Sequence, residues 1–183
     1  MPSPITHLAA GYAIYRLARD RVPGRTFGQH WRLPGLLVFA LIFSMLPDLD
    51  SVAAVLLNDF GRFHNQGSHS LLVGLAVALA TAGLAALLRA GSLRVWFVVA
   101  LVAYELHVIL DFLTVGRGVM LFWPLTDNRY LSPLLLFYGL HWSDGLFSVN
   151  HVITLVTEVA LILLVVGVYR LWRRQADSRA ARG

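Results

Sequence analysis

Leu71 to Leu88 is a run of eighteen residues without a single charge. In water a helix of that kind has no face to turn outward, whereas in a bilayer it has about the length a span needs. No other feature constrains the fold as strongly. Val95 to Val115 forms a second such stretch, interrupted by Glu105, His107 and Asp111, and Val152 to Tyr169 forms a third, carrying Glu158. Leu33 to Leu46 is apolar but only fourteen residues long; it stops at Pro47-Asp48-Leu49-Asp50 and resumes from Ser51 to Leu57. Proline lacks the helix donor and crowds the preceding turn, so this second span is expected to be broken. The N-terminal stretch places Ser3 as an N-cap and Pro4 at the first helical position, and runs to about Ala18. No positive charge precedes it, as a signal peptide would require. Leu131 to Leu140 is too short to cross and reads as an interfacial segment. The expectation is an all-α polytopic membrane bundle of about five spans, a single domain over residues 1–183.

The charges agree with that reading. Hydrophobic residues make up 57% of the chain and charged ones 14%, against about 25% charged in soluble domains. The net charge of +5 would suit a nucleic-acid partner, but its placement argues against one. All fifteen basic residues are Arg, and twelve sit in three clusters beside apolar runs: Arg16 to Arg32, Arg89 with Arg94, and Arg170 to Arg182. Cytoplasmic loops carry such excesses. A multi-pass inner-membrane protein is expected, with its N-terminus outside and a basic cytoplasmic tail from about residue 170. The outer side then holds only Arg62, Arg117 and Arg129.

The same orientation, which rests on the arginines alone, gathers His7, His64, His69, His107, His141, His151, Asp48, Asp50, Asp111 and Glu158 in the outer half. Cysteine is absent, so a metal here would rest on His and carboxylate. His107 and Asp111 stand four residues apart and share a helix face. Their alternative is a hydrogen-bonded pair that ties helices together. His64 and His69 frame a turn in which Gly67 offers flexibility and Ser68 a cap for the next helix; a solvated polar loop is the bland alternative. Asp48 and Asp50 end the broken span, and helix capping explains one of them better than two. His7 suits packing or a supporting contact as well as ligation. Glu158 is open to roles as ligand, base or buried hydrogen-bonding partner. Glu105 faces away from His107 and Asp111 and suits a structural role. The three outer arginines could grip an anion, anionic lipid being the ordinary expectation.

Thr6-His7-Leu8, Leu46-Pro47-Asp48-Leu49-Asp50, His64-x4-His69-Ser70, and His107-x3-Asp111 leading through Thr114 and Gly118 to Leu121-Phe122-Trp123-Pro124 occur in this order. The ordered set resembles the YdjM-like membrane-bound metal-dependent hydrolases over roughly residues 1 to 130, with a weaker echo to Glu158. That family is distantly similar to zinc-dependent phospholipases C and related zinc nucleases. By motif, the resemblance implies His7, Asp48, His64 or His69, His107 and Asp111 as metal ligands. No further His follows the His-x3-Asp pair before Gly118, and His151 with Glu158 only loosely matches a terminal His-x3-Glu, so one or two ions are expected.

The expected function is zinc-dependent hydrolysis of a phosphoester or phosphodiester, on a lipid or envelope substrate at the outer face. His107, Asp111, Asp48 and His69 are the preferred ligands, with His64 or His7 completing the shell and Asp50 or Glu158 as base. Arg62, Arg117 and Arg129 would clamp the anion. The alternatives are a proton- or metal-coupled transporter and a scaffold with a structural metal. A shared centre requires the carboxylates of Asp48 and Asp111 within about 10 Å of each other, with His69 turned towards His107.

Overall fold

The structure, a computed structural model, describes residues 1–19, 32–57, 59, 64–141, 144 and 148–180. Six α-helices account for most of them: α1 (Pro4–Ala18), α2 (Arg32–Met45), α3 (Leu49–Leu56), α4 (Leu71–Leu87), α5 (Leu93–Phe112) and α6 (Val149–Ala180). The described residues form no strand, only isolated bridges between Thr114 and Phe137 and between Val119 and Tyr130.

Among the described residues, three stretches are long and apolar enough to cross a membrane: Gly35–Leu56, Leu93–Phe112 and Val149–Ser178. The helix Leu71–Leu87 is apolar but shorter. The second span is broken where Pro47 predicts: α2 gives way to a 3-10 turn over Leu46–Asp48, from which α3 continues. A proline has no N–H to close the preceding turn, and the tighter turn accommodates this.

The burial pattern is that of a bundle solvated by lipid. His7, His69, His107 and Glu158 are the largest fully buried side chains, while Leu56, Leu87 and Val149 are more than two-thirds exposed. Polar groups in a membrane protein turn inward because hydrocarbon cannot solvate them. At the opposite end of α1 and α5 the packing is apolar, with Ile14, Tyr15, Leu36, Ala40, Val99 and Ala103 in one cluster. Helices α1 and α2 approach so closely that a Cβ on Gly11 would lie 2.5 Å from Ser44 Oγ.

Leu131 to Leu140 is not helical and folds back on the end of α5. Leu136 N donates to Leu113 O at 2.8 Å, and Val115 N donates to Phe137 O at 2.9 Å. This segment covers the chain that leaves α5.

Candidate metal centre

The ends of five helical segments meet at one place. The start of α1 brings His7, the 3-10 turn after α2 brings Asp48, the turn before α4 brings His69, and the end of α5 brings His107 and Asp111. The first turns of α6 lie at the same end and carry Glu158 to the start of α1.

Asp48, His69, His107 and Asp111 are all buried, and each offers a ligand atom within 4.8 Å of the others. Both conditions for a shared centre are therefore met. His69 Nε2 lies 3.1 Å from Asp111 Oδ2 and 3.5 Å from Asp48 Oδ1. His107 Nε2 lies 3.5 Å from Asp48 Oδ1 and 4.0 Å from Asp111 Oδ2. The two Nε2 atoms are 3.3 Å apart.

Both imidazoles are held from behind. His107 Nδ1 donates to the Ser44 carbonyl at 2.7 Å, one turn before the proline break. His69 Nδ1 lies 3.3 Å from Asp50 Oδ2 and 3.1 Å from Ser68 Oγ. A proton held on Nδ1 by such an acceptor leaves the Nε2 lone pair for the centre, the arrangement that metal-binding histidines use. Burial alone would lower the pKa of His69, but without a cation the carboxylates of Asp111, Asp48 and Asp50 outweigh it and hold it well above its ordinary value; a divalent cation bound at Nε2 would take the place of that proton.

Apart from these imidazole approaches, neither carboxylate oxygen of Asp48 or of Asp111 receives a hydrogen bond. Buried carboxylates are costly unless paired or bound to a metal. Two carboxylates and two Nε2 lone pairs form a set that fits a divalent cation. These four residues can hold a metal ion.

The other expected residues divide by what they touch. His7 is fully buried, stacks on His107 with ring centroids 3.7 Å apart, and brings Nε2 to 3.4 Å from Asp111 Oδ1. It lines the centre without joining the four-atom group. Asp50 and His64 form a second group with Asp48. Asp50 lies 2.9 Å from His64 Nδ1 through Oδ1, and its Oδ2 accepts from Asn65 N at 2.8 Å and Ser68 Oγ at 2.6 Å. Its carboxylate thus ties α3 to the turn that carries both histidines. Glu158 is not brought to the centre: it accepts from Ser3 N at 2.8 Å, Thr6 Oγ1 at 2.7 Å and the Ser3 hydroxyl. Three donors occupy the group considered as a base. Arg117 donates to the His64 carbonyl, and Arg129 Nη1 donates to the carbonyls of Asn65 at 2.9 Å and Gly118 at 3.0 Å. Arg62 lies outside the described residues.

Several supporting residues carry no sequence signal for their roles. Ser70, not Ser68, caps α4, its Oγ accepting from Leu72 N at 3.2 Å and donating to the Trp123 carbonyl at 2.7 Å. Tyr104 donates to the Ser68 carbonyl at 2.5 Å. Gly67 is needed for a close approach: a Cβ there would stand 2.7 Å from the Trp123 ring. A cavity of about 420 Å³ opens beside the centre, lined by Asp111, His64, Arg117, His141 and His151 among others.

A helical membrane protein with a buried His/Asp cluster at one end of its bundle is the class that fold and site define. Residues 1–176 match the model of the YdjM inner membrane protein family, and the chain belongs to that family. It is also 32% identical over 137 residues to the inner membrane protein YbcI of Escherichia coli (strain K12), covering 73% of each chain. No solved structure matches it.

Proposed function

We propose that the protein is a metal-dependent hydrolase that cleaves a phosphoester or phosphodiester of a lipid or envelope substrate at the outer face of the inner membrane. The observation that carries this reading is the cluster of Asp48, His69, His107 and Asp111, with carboxylate oxygens that no hydrogen bond satisfies, beside a cavity large enough for a headgroup. Zinc, or a similar divalent ion, would be held by these four residues. Such an ion polarises a phosphoryl oxygen and lowers the pKa of bound water to about 7.

The residues of the chain supply the rest. Asp50 and the Ser44 carbonyl orient the two imidazoles. His7 covers one side of Asp111, and Glu158 fixes the helix that carries His7. Polar residues at the far end would favour a transporter, but the cluster of Ile14, Leu36, Ala40, Val99 and Ala103 there is apolar.

The test is metal analysis of detergent-purified protein together with hydrolysis of a chromogenic phosphodiester. Bound divalent metal and turnover that are both lost in Asp111→Ala support the reading. Metal-free wild-type protein that keeps its fold would falsify it.

A further inference from the structure

The cavity beside the centre has a wall that the metal ligands do not explain. Asp111 enters it from α5, His64 from the turn before α4, Arg117 from the segment after α5, His141 from beyond the interfacial segment, and His151 from the first turn of α6. Among the described residues of the lining Asp111 is the only carboxylate, and it belongs to the metal cluster. The other ionisable side chains among those described residues are Arg or His. A cavity that conducts or collects cations carries acids on its walls, whereas the described wall outside the metal cluster carries Arg and His.

We propose that Arg117 and His151 form an anion subsite for a phosphate group whose reacting atoms face Asp111 and its metal. The proposal rests on the hydrolase reading and adds the residues that select the substrate. A guanidinium carries five N–H donors in a planar fork that suits an oxyanion, and the bond from Arg117 to the His64 carbonyl ties it to the turn at the cavity wall. His151 approaches the same space from a different helix. An anion held between them would join the last span to the loops over the centre. Of the outer arginines expected to grip an anion, Arg129 spends one terminal nitrogen on two backbone carbonyls and is not part of the cavity lining given by its wall residues. Met1, Pro4, Val115 and Leu140 supply an apolar margin, so the phosphate can belong to a free anion or to a lipid headgroup.

The experiment measures binding to metal-loaded, detergent-purified protein by calorimetry, with two probes: orthophosphate, and phosphatidylcholine vesicles doped with phosphatidic acid, against undoped vesicles. Metal content is determined on every sample. In Arg117→Gln and His151→Gln, phosphate affinity should fall about tenfold each, the loss expected when one charge-assisted contact is removed, with metal content unchanged. Binding of orthophosphate identifies a free anion as sufficient; binding of the doped vesicles alone identifies the lipid headgroup, and either result with the variant losses supports the subsite. Variants that keep their metal and bind both probes like wild type overturn the subsite and leave the hydrolase reading standing. Wild-type protein that holds no metal overturns that reading, and the subsite with it. His151→Gln guards against a folding artefact of Arg117→Gln, because it leaves the bond to the His64 carbonyl in place.

Discussion

His69 and His107 each hold the scaffold with one ring nitrogen and turn the other towards two carboxylates. This division predicts two grades of damage. His107→Ala or Asp111→Ala removes a ligand atom and should reduce bound metal to a small fraction of an equivalent, while Glu105→Gln, on another face of α5, should keep it; elemental analysis decides. Asp50→Asn leaves all four atoms of the main cluster in place and weakens only their support, so metal affinity should fall roughly 10–100-fold, measured by competition with a chelator. The spacing of His107 and Asp111 is legible in the sequence because a helix places residues four apart on one face. The division between ligand and supporting residue is not. Asp48 and Asp50 are two residues apart and chemically identical, and only the path of the backbone through the 3-10 turn sends one to the centre and the other to Asn65 and Ser68.

At the scale of elements, the break at Pro47 and the helical stretches can be read from proline chemistry and apolar run length, whereas the attachment of one helix to another cannot. Ser3 stands at the N-cap position of α1 but makes no side-chain cap; its hydroxyl goes to Glu158, 155 residues away. No periodicity encodes such a pairing, and without it Glu158 reads equally well as ligand, base or structural acid. The structure gives it three donors from the first turns of α1, which makes it the pin that holds His7 against Asp111. Glu158→Ala should strand those donors in the core and destabilise the protein by roughly 2–5 kcal/mol. Glu158→Gln keeps an acceptor and should cost less. Thermal unfolding in detergent, followed with and without added metal, separates the two. Equal melting of both variants and wild type would show that α1 is held by other contacts. Gly67→Ala tests a second attachment, since the Trp123 ring has to move to admit the methyl group; the expected loss is about 1–3 kcal/mol.

For the whole molecule, the two ends of the bundle differ in kind. Asp48, His69, His107 and Asp111 sit where α2 and α5 end and where α1, α4 and α6 begin. Arg16, Arg89, Arg94, Arg170, Arg173 and Arg174 sit near the opposite ends of those helices. The positions of the arginines along the sequence imply this separation; the fold supplies the connection, because the helix ends that carry the histidines and acids meet one another. Helix α6 has 32 residues, about 48 Å at 1.5 Å per residue, against a hydrocarbon layer of about 30 Å. Its last turns, where the arginines lie, therefore extend past the apolar layer. The orientation we propose from the positive-inside rule has the basic end in the cytoplasm and the candidate metal centre at the outer face. A phosphatase reporter fused after Gly183 should be inactive and a cytoplasmic fluorescent reporter bright, while a reporter placed before Met1 should respond as periplasmic. A further prediction follows for cysteine scanning, since the chain has no Cys of its own. A cysteine at Thr126 should react with an impermeant maleimide added to whole spheroplasts, and one at Gln175 only after lysis. The reverse pattern would place the centre in the cytoplasm and remove envelope substrates from consideration, while leaving the metal cluster itself intact.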